Sequence, residues 1–225
     1  EDGLEILGMS EDLQIRCLKN ILRTNIMADI AFIMGKSASG KDKIFKALCE
    51  DPELNLKTII MYTTRPMRHG EQEGVEYHFV DDTEADRLKD DGRIIEMRSY
   101  DTVYGTWKYF TVDDGQIKSD SSEKYIVIGT LEAYQAFCNY FGNERIMPIY
   151  IEVDDGIRLE RAIKRERKQE KPKYEEMCRR FLADAKDFSE ENLEKCHITR
   201  RFLNNEELSD CIEEVKVAIG KELMV

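Results

Sequence analysis

Gly35, Gly40 and Lys41 lie in the run GKSASGKD (35–42), where a glycine, four residues, a second glycine and a lysine follow in order. Residues without bulk let backbone N–H groups curl around an anion, and a lysine at the end of the curl carries positive charge to it. That is the chemistry of a loop cradling the phosphates of a nucleoside triphosphate. Ser37 and Ser39 complete the small-residue loop. After the lysine stands Asp42, where such loops usually place a serine or threonine hydroxyl on Mg²⁺. A carboxylate is itself a hard oxygen ligand, so either Asp42 takes the metal directly or the metal is held through water.

A second constellation follows in TTRPMRHGEQEGVEYHFV (63–80). Arg65 and Arg68, three apart and followed by Tyr77, offer forked donors and a phenol to one phosphate monoester, a geometry that favours arginine over lysine. A third lies between 158 and 180, where Arg158, Arg161 and Arg165 share one helical face and Arg179 and Arg180 follow. Such a face repels itself unless an anion or acidic neighbours such as Glu160 and Glu166 sit against it.

These groups need a frame. The apolar runs IAFIM (30–34), TIIMY (58–62), YIVIG (125–129) and MPIYIEV (147–153) read as strands buried on both faces, the mark of a parallel sheet. Helical patterns cover 41–50, 131–141, 156–168, 174–195 and 205–217, and this alternation predicts an α/β layer architecture. The glycine loop then falls between a buried strand and a helix, with the helix N-terminus aimed at the anion. Residues 63–110, rich in β-formers and turn residues, read as a small, mostly β lobe inserted after the second strand. The charged stretch 166–173, broken by Pro172, reads as an exposed hinge or lid tip. Leu13, Ile15, Leu18, Ile21 and Leu22 recur at near-helical spacing behind Ser10, so residues 1–28 read as an added helical extension to a single domain over 29–225.

The formal charge of −12 excludes a general affinity for nucleic acid or anionic membrane, since both repel an acidic chain at long range. Any phosphate must meet local positive charge. The six cysteines are scattered, with no CxxC and no close Cys/His pairing, so reduced structural thiols are expected. No apolar run reaches bilayer-spanning length and the acidic N-terminus lacks a secretory pattern, so a cytoplasmic address is expected.

The 63–80 stretch resembles the guanylate kinases, which carry two threonines, Arg-x-x-Arg, Gly-Glu and Gly-x-(Asp/Glu)-Tyr-x-Phe at the spacing of Arg65, Arg68, Gly70, Glu71, Gly74, Glu76, Tyr77 and Phe79. The resemblance runs from about Ile30 to about Val217. It implies a three-layer P-loop NTPase fold with a parallel sheet, an inserted acceptor-binding lobe at 63–110 and a helical lid at 158–180. It implies ATP as phosphoryl donor, Mg²⁺ as cofactor and GMP or dGMP as acceptor.

Residue by residue, the resemblance places Arg65, Arg68, Glu71 and Tyr77 on the acceptor, its phosphate held by the two arginines and the tyrosine. It makes Glu96 the guanine reader, Tyr104 a phosphate-binding tyrosine and Thr106 the hydroxyl residue that follows it, and Arg161, Arg165 and Arg180 the clamp on the transferring group. It puts Asn205, or its neighbour Asn204, beside adenine. Where the family has an acidic pair at the third core strand, this chain has Ile128, Gly129 and Thr130, and Met61 replaces a serine. Two further readings therefore stand: a P-loop kinase with another acceptor such as a ribose phosphate, and an inactive guanylate kinase-like binding module. Nucleotides are the expected partners, with a homo-oligomer left open.

Overall fold

The computed structural model describes residues 28–68, 70–102, 105–118 and 122–223. The expected N-terminal helix and Tyr104 lie outside them.

Strand β1 (Ile30–Met34) is buried along its whole length, and its side chains divide by the two-residue period of a strand. Ile30, Phe32 and Met34 enter one core and Ala31 and Ile33 the other, so the sheet is covered on both faces. The order is β2 (Lys57–Thr58), β7 (Tyr125–Gly129), β1, β8 (Ile146–Glu152) and β9 (Arg201–Leu203), all parallel. Helices α1 (Lys41–Cys49) and α7 (Leu208–Glu222) cover one face through Ile44, Leu48, Val215 and Ile219. Helices α3 (Leu131–Phe141) and α6 (Glu190–Lys195) cover the other through Tyr134, Phe137 and Leu193. Full burial of a side chain such as Phe32 contributes roughly 1.5–3 kcal/mol. The result is the expected α/β three-layer arrangement.

The second sheet has the order β4 (His78–Phe79), β3 (Tyr62–Thr63), β6 (Gly105–Val112), β5 (Ile94–Thr102). Helix α2 (Asp82–Asp90), capped by Asp81 accepting from Glu84 N–H, packs Ala85 and Leu88 against Phe110 and Val112. The TIIMY run is therefore not one strand. Its ends belong to different sheets, and between them the Gln116 amide takes the place of a ladder, accepting from Ile60 N–H at 2.7 Å and donating to Ile60 C=O at 3.2 Å.

Helix α4 (Asp155–Glu166) starts at Asp154, whose carboxylate accepts from Gly156 and Ile157 N–H. Helix α5 (Tyr174–Asp187) ends where a single long helix was expected. Asn192 Nδ2 takes up the carbonyls of Lys186 and Asp187, and Ser189 Oγ accepts from Asn192 N–H to start α6. No helix among the described residues is long and apolar enough to cross a membrane.

Candidate active site

The loop 35–40 leaves the C-terminal end of β1 and enters α1 at Gly40 with no side-chain cap on the helix, Lys43 N–H turning back to Gly40 O at 3.0 Å. Two glycines are required by close approach. A Cβ at Gly35 would lie 2.6 Å from Ile151 O, and one at Gly40, where φ is +87°, would lie 2.5 Å from Asn204 Nδ2. Gly40→Ala is therefore expected to weaken ATP binding at least about tenfold by displacing the loop, as titration calorimetry would read; unchanged affinity would refute this.

Lys41 sits behind this loop. Burial pushes its pKa down from 10.5; Asp42 and Asp184 push it back up, and Arg180 and Arg165 add to the depression. Three cations thus share one neighbourhood, an arrangement that an anionic ligand would relieve. Arg161, Arg165, Gly40, Asp42 and Asn204 line a cavity of about 610 Å³ at the mouth of the loop. Arg161 Nη1 donates to Asn204 O, just past β9, at 2.9 Å, and Arg180 Nη2 of α5 donates to Ser37 Oγ of the loop at 3.1 Å.

Arg158 has a different place from the other arginines of its face. It is fully buried; Nε donates to Ser37 O at 3.1 Å, Nη2 to Asp184 at 3.3 Å, and Nη1 pairs with Asp155. Its guanidinium lies 4.7 Å from the Phe181 ring centre, and Asp184 accepts from Ser37 N–H at 2.7 Å. Arg158 and Asp184 together fasten α4 and α5 to the loop.

Of the two asparagines, Asn204 lines the cavity at the mouth of the loop. It is buried, Nδ2 donates to Ser39 O at 2.7 Å, and Oδ1 has no partner. Asn205, the residue favoured from sequence, is exposed, and its Oδ1 accepts from Asp154 N–H at 2.9 Å. The geometry moves the candidate contact from Asn205 to Asn204. Ser39 Oγ is also buried without a hydrogen-bond partner.

In the inserted lobe, Arg65 is buried and forks onto Glu71 at 2.8 and 3.0 Å, while Glu71 also accepts from Arg68 N–H at 2.7 Å. Arg65 stacks 5.5 Å from the Tyr77 ring centre, whereas the Arg68 side chain is exposed. Glu71 is thus placed to hold the 65–71 turn. Its carboxyl is held below its usual 4.5 by Arg65 first and by the Arg68 N–H. The stability it lends the turn is present above 4.5 and is lost as pH falls through the lowered value. Glu71→Gln is accordingly expected to raise the acceptor KM by about tenfold at neutral pH with a smaller change in kcat; steady-state kinetics showing an unchanged KM would refute this.

Glu96 is buried and engaged by Arg98 and Thr111. Arg98 was missed, although two residues apart on a strand share a face. Thr106 is exposed and donates to Asp101 at 2.7 Å. At the end of β7 a side chain on Gly129 would put Cβ 2.6 Å from Phe32 Cζ, so close packing leaves no room there for a carboxylate. Facing this strand end, Arg98, Thr130, Glu132, Gln135 and Lys195 line a second cavity of about 580 Å³.

The fold is an α/β protein with a glycine loop between its central strand and first helix and a second, four-stranded sheet inserted after β2. The guanylate kinase family model matches residues 28–222, and the chain belongs to the guanylate kinase family. It is 40% identical over 75 residues to the guanylate kinase of Brucella melitensis, a match spanning 33% of this chain and only 34% of that relative. It is 26% identical over 196 residues to the guanylate kinase of Porphyromonas gingivalis, covering 87% of this chain and 98% of the relative. A solved structure of guanylate kinase from Anaplasma phagocytophilum superposes with a TM-score of 0.60 at 18% identity, covering 89% of each chain, which establishes the fold.

Proposed function

We propose that the chain transfers the γ-phosphoryl group of ATP to GMP or dGMP by in-line attack of the acceptor phosphate. The observation carrying this reading is that Arg165 and Arg180, from two different helices, line one small cavity together with Ser37 of the loop, and both act on the charge of Lys41. Phosphoryl transfer asks for positioning and charge neutralisation rather than a covalent nucleophile.

In this reading Gly35, Ser37, Ser39, Gly40 and Lys41 hold the β and γ phosphates, and Asn204 steadies the loop beside the donor nucleotide through Ser39 C=O. Arg65, Arg68 and Tyr77 present the acceptor phosphate. Arg161, Arg165 and Arg180 close over the developing charge and exclude water. Bound Mg²⁺ would neutralise the phosphate oxygens. No cluster of three or more His, Cys, Asp or Glu among the described residues could hold a metal alone, so Asp42 would share it with the triphosphate and water.

A phosphorylated sugar as acceptor is the second reading, favoured by the cation Arg98 beside Met61, where Nη2 lies 3.7 Å from the thioether sulfur. A coupled ADP-release assay with GMP, dGMP, AMP and a ribose phosphate separates the two. Turnover highest with GMP or dGMP supports the first, and turnover confined to the ribose phosphate replaces it.

A further inference from the structure

The base end of the acceptor cleft is built around an ion pair that changes what it can recognise. Arg98 Nε donates to Glu96 Oε2 at 3.0 Å and Nη2 approaches Oε1 at 3.4 Å, while Thr111 Oγ donates to Oε1 at 3.0 Å. Both Glu96 oxygens are engaged, and its side chain is only 4% exposed. A carboxylate held in this way cannot also accept from the N1–H and N2–H₂ edge of guanine without giving up Arg98.

Arg98 is placed the other way. Its side chain is 13% exposed and lines the cleft of about 580 Å³; Nε and Nη2 face Glu96, Nη2 also lies 3.7 Å from the Met61 thioether sulfur, and Nη1 makes no hydrogen bond among the described residues. Arg98 lies opposite Tyr109 on the neighbouring strand, and the Tyr109 ring packs 5.7 Å from that of Tyr77, which sets this guanidinium two contacts from the acceptor-phosphate candidates. What the cleft presents at this end is the outer edge of a guanidinium, Nη1 together with an Nη2 hydrogen held only by a weak thioether acceptor, backed by a buried carboxylate.

Building on the proposed kinase reading, we infer that Arg98 is the specificity-determining residue of the acceptor site, selecting 6-oxopurine nucleoside monophosphates by donating to O6 and N7, with Glu96 as the positioning residue that orients it. The two acceptors on that purine edge match the guanidinium fork, a pairing general to arginine and guanine. Adenine sets an N6–H₂ donor at the place of O6, so donor would meet donor. The 2-amino group is not read by this pair. Hypoxanthine keeps O6 and N7, so IMP enters alongside GMP, whereas a site reading N1–H and N2–H₂ through Glu96 would penalise IMP.

The test measures kcat/KM, and calorimetric affinity, for GMP, IMP and AMP on the wild type, Arg98→Lys and the double variant Glu96→Gln with Arg98→Met. The wild type is expected to handle IMP within about tenfold of GMP, and AMP at least about 100-fold less well. Arg98→Lys keeps a charge opposite Glu96 but loses the fork. It is expected to lower kcat/KM for GMP and IMP by about 10- to 100-fold, chiefly through KM, and to leave AMP near its wild-type value. The double variant, which leaves no buried charge unpaired, is expected to lose the same discrimination.

Wild-type rejection of IMP by 100-fold or more relative to GMP, or an unchanged GMP-to-AMP ratio in Arg98→Lys, overturns the inference. Calorimetry reads the same order in a chain that does not turn over. GMP and IMP bound alike above AMP, without phosphorylation, would overturn the proposed reaction and support Arg98. Phosphorylation with that order lost would overturn Arg98 alone.

Discussion

Lys41→Ala is expected to lower kcat/KM by about 10³-fold while leaving the fold intact, because the removed group is a preorganised charge aimed at the transferring phosphate. Burial depresses its pKa from 10.5, with Arg165 and Arg180 adding to the effect, so the ammonium is held in an environment that disfavours it without a ligand. The sign of the stability effect follows. With the folded pKa below the unfolded one, the unfolded chain binds more protons between the two values, and the contribution of Lys41 to stability rises with pH across that window. Lys41→Ala should therefore melt no lower than the wild type at neutral pH, and its advantage should shrink as pH climbs towards 10.5. Melting curves across pH check the second half and steady-state kinetics the first. A variant with undiminished turnover would remove Lys41 from the reaction.

Arg158→Met carries the largest expected loss of stability. The guanidinium is fully buried and serves the Ser37 carbonyl, Asp155, Asp184 and the Phe181 ring together. Removing one partner of such a pair strands the other, at a typical cost of about 3–5 kcal/mol. For a chain of this length, that lowers Tm by on the order of 10 °C. Asp184 also fixes Ser37 N–H, so the phosphate loop loses its anchor to the lid and the KM for ATP is expected to rise as well. Changing Asp184 to Asn in the same chain removes the stranded charge and should restore part of the lost stability. Calorimetry giving an unshifted Tm for Arg158→Met would contradict this role.

The same residue marks where sequence reading stopped. Spacing put Arg158, Arg161 and Arg165 on one face, but periodicity cannot say which arginine the packing of a second helix will bury. Asp184, its partner on α5, lies too far along the chain for any local pattern. The core was legible because IAFIM and YIVIG are apolar on both faces, as a parallel strand between two helix layers must be. The TIIMY run misled for the same reason, since apolar content alone does not reveal the Gln116 amide that ends one strand and frees the next.

Other features had signals that were passed over. Ser189, four residues after Ala185 and just past the end of α5, caps α6, and such a residue inside a long helical pattern is a break signal. Arg98 shares a strand face with Glu96. The choice between Asn204 and Asn205 had none. It turns on which side chain the chain reversal after β9 directs at Ser39 O rather than at Asp154 N–H.

The proposed cationic ring is meant to serve two nucleotides end to end, and one ligand tests that directly: adenosine and guanosine joined through five phosphates, titrated calorimetrically with Mg²⁺. The expected result is one ligand per chain, bound at least about 100-fold more tightly than ATP or GMP alone, as joining two adjacent ligands produces. Binding no tighter than ATP alone, with GMP still able to bind beside it, would mean that the two cavities do not share the transferring phosphate.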